Sequence, residues 1–162
     1  MRHVIYPGTF DPITNGHLDI IERATTLFDV VTIGVTTNPA KNPLFSVEER
    51  VAMIRQVTQN FSNVRVDSFG GLLVDYAQRL GACAIIRGLR AISDFEYEFQ
   101  MALVNRKISD SIVTVFLMPH EKYTYLNSTI VKELALFGGD ISRFVPPEVE
   151  ALIKQKVASR TK

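Results

Sequence analysis

Cysteine is nearly missing from this chain of 162 residues. Cys83 stands alone, which excludes an internal disulfide, and no Cys/His spacing resembles a zinc site. Its apolar neighbours Ala82, Ala84, Ile85 and Ile86 predict a small buried residue rather than a nucleophile. Excess charge is missing too. The formal net charge is +1, so no global field argues for a nucleic-acid or membrane partner. No run approaches the roughly 18 apolar residues that span a bilayer, and the opening Met1-Arg2-His3-Val4-Ile5-Tyr6-Pro7-Gly8 is too brief for a signal peptide. The expected address is the cytoplasm. Two familiar phosphate motifs, G-x-x-x-x-G-K-[ST] and G-x-G-x-x-G, do not occur either. Low-complexity tracts, internal repeats and Pro/Ser linkers are also absent, which predicts one domain over residues 1–162.

What is present is an ordinary globular balance, 46% hydrophobic and 22% charged, arranged in alternating periods. Short apolar runs predict strands at Val4–Tyr6, Val30–Val35, Val64–Val66, Ala84–Ile86 and Ile112–Leu117. Between them lie helix-spaced segments. Leu18, Ile21, Ala24 and Phe28 form one stripe; Val47, Val51, Ile54 and Val57 form another, behind a Ser46/Glu49 capping box. Leu72 to Leu80 predicts a third helix, and Phe95, Phe99, Ala102 and Leu103 stripe a fourth that runs to about Ile108. That stripe is core or a subunit contact. Thr129 to Phe137 predicts a helix ended by Gly138-Gly139, and Pro146-Pro147 opens the last one. Five strands separated by helices imply a Rossmann-like, doubly wound, five-stranded parallel sheet with helices on both faces. Ligands of such sheets bind beyond the carboxyl ends of the strands.

Those strand ends carry groups suited to phosphate. After the first strand come Gly8, Thr9, Gly16 and His17; after the second, Lys41; after the fourth, Arg87-Gly88-Leu89-Arg90; after the fifth, a Tyr123–Thr129 stretch leading to Lys132. A single cation is ordinarily a solvated surface charge. Cations on three separate strand-end loops, in a chain with little net charge, point to an anion site. Gly8 and Gly16 flank a strand-to-helix loop whose N–H groups and helix dipole favour phosphate. His17 falls in the first helical turn, where its imidazole can donate to a phosphate oxygen. His3 and His120 lack such company.

Thr14-x-Gly16-His17 after the first strand resembles the T/H-x-G-H motif of the adenylyl- and cytidylyltransferase superfamily, and Asn127-Ser128-Thr129-Ile130-Val131-Lys132 occupies the place of its second signature. More narrowly, Tyr6-Pro7-Gly8-Thr9-Phe10-Asp11-Pro12, Arg87-Gly88-Leu89-Arg90 and Asp94-Phe95-Glu96-Tyr97-Glu98 resemble the bacterial phosphopantetheine adenylyltransferase family, in order and along the whole chain. The resemblance implies AMP transfer from ATP to 4'-phosphopantetheine with Mg²⁺, a homohexamer, and feedback binding of coenzyme A. It implies that Thr9, Lys41, Leu73 and Arg87 contact phosphopantetheine. It implies that Thr9, Phe10, His17, Gly88, Leu89, Arg90, Glu98, Tyr123, Thr124, Tyr125, Leu126, Asn127, Ser128 and Thr129 bind ATP. The catalytic roles implied fall on His17, Lys41, Arg90 and Thr9. Asn127 departs from the commoner serine of the second signature, and Tyr123 stands where tryptophan often begins that loop. Asp94 and Glu96 read as an acidic helix start that complements the dipole. A related adenylyl- or cytidylyltransferase with another acceptor remains a rival reading, as does a flavodoxin-like nucleotide sensor without catalysis.

Overall fold

The computed structural model describes residues 1–37 and 42–160. The strands are β1 (His3–Gly8), β2 (Val30–Thr36), β3 (Val64–Phe69), β4 (Ala84–Gly88) and β5 (Val113–Leu117). The helices are α1 (Asn15–Leu27), α2 (Val47–Val57), α3 (Leu73–Arg79), α4 (Ile92–Ile108), α5 (Ser128–Leu136) and α6 (Pro147–Arg160). All strand pairs are parallel, in the order β3-β2-β1-β4-β5.

Strand alternation divides the core between the two faces of the sheet. Val4, Tyr6, Ala84 and Ile86 point into the larger core, which Ile20, Ile21 and Ala24 of α1, Ile54 of α2 and Ile153 of α6 complete. Ile5 and Ile85 point the other way, onto Val74 and Ala77 of α3 and onto Ile112. Each such fully buried isoleucine contributes roughly 1.5–3 kcal/mol of hydrophobic stabilisation.

Several expectations are sharpened. β3 extends three residues beyond Val66, because its backbone pairs with β2 as far as Thr36 and Phe69 although Asp67 and Ser68 are polar. The Ser46/Glu49 capping box is present, with Glu49 N–H donating to Ser46 Oγ at 3.1 Å and Ser46 N–H to Glu49 Oε2 at 2.7 Å. α5 ends where expected, with Gly138 in the left-handed region at φ 72°. One expectation fails and another is narrowed to its second alternative. Cys83 is exposed: it lies just ahead of β4, outside the Ala84–Ile86 stretch that the two cores cover from both faces. The α4 stripe is not core of this chain: Phe95 and Phe99 are each 47% exposed and Leu103 is 49% exposed.

Candidate active site

β1 leads to β2 on one side while β4 leads to β5 on the other, so their carboxyl ends diverge and open a crevice. Two cavities occupy it. One, of about 290 Å³, lies between the β1–α1 loop, the end of β4 and the start of α5. The other, of about 460 Å³, lies against the start of α3 and one side of α4. Pro7, Gly8, Thr9, Arg87 and Glu98 line both, so the two spaces meet along a common wall.

The β1–α1 loop is built to stay in place. A Cβ on Gly8 would stand 2.9 Å from the Phe10 ring, so only glycine fits. Gly16 has ordinary room; a side chain there would point at Tyr123 and Leu126. Phe10 has φ 50° and a buried ring, held edge-on by Tyr6 at 5.5 Å and His17 at 5.0 Å. Asp11, also buried, accepts from the N–H groups of Leu44 and Phe45, each at 2.9 Å, and pairs with Lys132 at 3.0 Å. Lys132 is therefore a clamp between α5 and this loop. Ser128 Oγ donates to Pro12 O at 2.7 Å and adds a second tie.

His17 closes a capping box in which a histidine takes the usual place of Glu or Gln. Thr14 N–H donates to His17 Nδ1 at 3.0 Å. A backbone N–H can only donate, so Nδ1 carries the lone pair and the proton sits on Nε2. Burial pulls the imidazole down to about 4, with the Arg90 charge adding to the effect. At neutral pH the ring lining this cavity is an uncharged hydrogen-bond donor. Beside it, burial pushes the Tyr6 phenol well above its ordinary range, so Tyr6 also stays protonated.

From β4, Arg87 forms a two-point pair with Glu98 of α4, at 2.7 and 2.6 Å. Burial disfavours the Arg87 charge, but the Glu98 carboxylate more than offsets it, and the guanidinium pKa is raised. Arg90 reaches Leu126 O at 3.0 Å and Asp94 at 3.3 Å, tying the β4–α4 loop to the loop before α5. Asp94 is thus a cavity residue and not solely a dipole partner. Asn127 caps α5, its Oδ1 accepting from Ile130 N–H at 2.9 Å, which explains how it stands in for serine.

The first cavity gathers Thr9, Phe10, His17, Gly88, Arg90, Glu98, Tyr123, Leu126, Asn127 and Ser128. Leu89, Thr124, Tyr125 and Thr129 do not line it; Leu89 N–H donates to Leu117 O, Thr124 Oγ1 donates to Glu121 O, and the Tyr125 ring meets Phe144 edge-on. The second gathers Thr9, Leu73 and Arg87. Lys41 lies outside the described residues. Motif reading missed Leu72, Tyr97, Met101 and Asn105 of the second cavity. The helical spacing of positions 97, 101 and 105 was the available signal. Among the described residues, no helix is long and apolar enough to cross a membrane.

The cytidylyltransferase-like family matches residues 5–134. Three relatives named phosphopantetheine adenylyltransferase align over 96% of the chain. That of Caldanaerobacter subterraneus is 56% identical with 98% of its own length covered. That of Alkaliphilus metalliredigens is 56% identical with 99% covered, and that of Heliobacterium modesticaldum 54% identical with 93% covered. A crystal structure described as a candidate nicotinate-nucleotide adenylyltransferase, from Vibrio parahaemolyticus, superposes with a TM-score of 0.74 over 100% of this chain and 98% of its own. At 19% identity it speaks for the fold alone.

Proposed function

Because the chain belongs to the phosphopantetheine adenylyltransferases of the cytidylyltransferase-like family, we propose that its two joined cavities hold the two substrates of that reaction. The reaction transfers AMP from ATP to 4'-phosphopantetheine, yielding dephospho-coenzyme A and pyrophosphate. The shared wall of Pro7, Gly8, Thr9, Arg87 and Glu98 carries the assignment. Two substrates lying in cavities that meet there bring their phosphates together at the wall. ATP takes the cavity of His17 and Arg90; phosphopantetheine takes that of Leu73, its phosphate at Thr9 and Arg87.

The attacking phosphate is already anionic near neutral pH, so no general base is required. What the protein contributes is alignment for in-line attack at the α-phosphorus and donors for the charge that develops there. His17 donates from Nε2, Arg90 brings positive charge, and Thr9 contributes a hydroxyl at the junction. Lys41 is assigned to bridge the attacking and attacked phosphates.

Mg²⁺ enters this reading as part of the nucleotide substrate. Glu98 and Asp94 are engaged by Arg87 and Arg90, and among the described residues no three His, Cys, Asp or Glu side chains gather into a metal cage. Mg²⁺ that keeps mostly water and phosphate ligands needs no such cage.

Coenzyme A unites features of both substrates and would compete by spanning both cavities, the basis for feedback inhibition. The exposed apolar residues of α4, with Val113 at the β5 edge, supply a contact surface for the homohexamer. The reaction is assigned to the cytoplasm. Pyrophosphate release from Mg·ATP and 4'-phosphopantetheine tests the central reading; release only with another acceptor, such as nicotinate mononucleotide, would replace it. Sedimentation of the chain at micromolar concentration tests the assembly, and a monomer would exclude it.

A further inference from the structure

Arg50, on the second turn of α2, is a charged side chain with only 3% exposure. Among the described residues no carboxylate pairs with it within 4.0 Å. Burying a cation without a counter-ion is costly, and the cost must be offset by hydrogen bonds of good geometry. Four carbonyl oxygens supply them. Nε donates to Phe45 O and Ser46 O, each at 3.2 Å; Nη1 donates to Thr9 O at 2.7 Å and Thr36 O at 3.2 Å. One planar guanidinium thereby joins the loop after β1, the end of β2 and the start of α2.

The shortest of these bonds goes to Thr9, which lies on the wall common to both cavities. Among the described residues it is the only hydrogen bond that holds Thr9. The next residue, Phe10, has a left-handed φ of 50°, a conformation that a side chain disfavours and that needs fixing from both ends. Asp11 secures the far end through Leu44 and Phe45 N–H. Arg50 secures the near end.

We propose that Arg50 is a positioning residue for adenylyl transfer: it holds the Thr9 carbonyl, and so the Thr9 peptide and side chain, in register with the junction of the two substrate cavities. It acts behind the loop and touches neither substrate. The inference rests on the adenylyltransferase reading above. A lysine keeps the charge but loses the planar fork that reaches several carbonyls at once, so it cannot hold the same geometry.

The test is a double-mutant cycle in the full chain, read by kcat and KM for pyrophosphate release, with Arg50→Lys, Thr9→Val and the pair. Arg50→Lys should remain cooperatively folded and lose about tenfold or more in kcat, the size expected of a sub-ångström misplacement, with KM for ATP within about twofold of wild type. With Thr9→Val in place, the same lysine substitution should cost less than about twofold, because residues acting as one unit are not additive. Equal losses in both backgrounds would reduce Arg50 to a structural tie and overturn the proposal, as would a folded Arg50→Lys with wild-type kcat. Should Arg50→Lys fail to fold, Arg50→Gln runs the same cycle with the same criteria. An active wild type with additive losses defeats this inference alone; a wild type that releases no pyrophosphate defeats the functional reading with it.

Discussion

The two cavities share a wall and little else. The cavity of His17 is framed by loops tied directly to one another: Thr14 to His17, Ser128 to Pro12, Arg90 to Leu126, Asp11 to Lys132. The cavity of Leu73 is bounded on one side by α4 side chains that reach out from a helix, among them Tyr97 at 62% exposure and Met101 at 38%. The first is suited to hold charge still while a bond changes partners. The second is suited to grip a flexible, mostly uncharged arm. Rigidity and polarity go with the reacting atoms, and apolar surface goes with recognition.

If that contrast is right, substitutions on the two sides should fail differently. The largest effect is expected from His17→Ala, which removes a preorganised donor and should lower kcat by roughly 10²–10³-fold in a folded protein. An unchanged kcat would take His17 out of the mechanism. In the wild type, an NMR titration should find the ring neutral until the pH falls toward about 4. The unfolded ring gains its proton nearer 6.5, so stability due to this group is intact above that value and is lost as pH falls between the two. A midpoint near 6.5 in the folded protein would show the ring to be solvated.

Next in size is the common wall. Arg87→Met strands the Glu98 carboxylate, and we expect a loss of about 2–3 kcal/mol in urea unfolding, less than for a fully buried pair because Arg87 is partly exposed. Replacing Glu98 with leucine as well should recover most of that stability without restoring turnover. Recovery of both would mean that the pair serves the fold alone. The smallest effect belongs to the apolar side. Leu73→Ala should raise KM for phosphopantetheine about tenfold while leaving kcat and KM for ATP nearly unchanged, as expected for loss of a few methylenes of contact. A fall in kcat there would erase the distinction between the cavities.

The same contrast decides what was legible in the sequence. β1, β2 and β4 are covered on both sides, so their apolar runs announce them. β3 is an edge strand in which polar Asp67 and Ser68 follow Val66, and only pairing with β2 defines it beyond that point. The site loops near His17 were readable because backbone approach and helix capping demand particular residues at particular places. The other cavity was not. Tyr97, Met101 and Asn105 follow helical spacing, which identifies a face but not what that face meets. Arg50 had the look of any solvated cation on an amphipathic helix; its burial depends on three segments that converge only in space. Cys83 misled for the opposite reason, an apolar neighbourhood in sequence whose coverage does not reach its own place just ahead of β4.

In an enzyme that steers its imidazole with a carboxylate, the steering group and the helix that carries the ring can vary separately. Here they are one object: the N–H that selects the tautomer is the N–H that begins α1. Sliding the helix start by a single residue would swing the ring by about 100° and break the bond that selects its tautomer. Lengths on either side of this turn can drift, but the three-residue step from Thr14 to His17 has no slack.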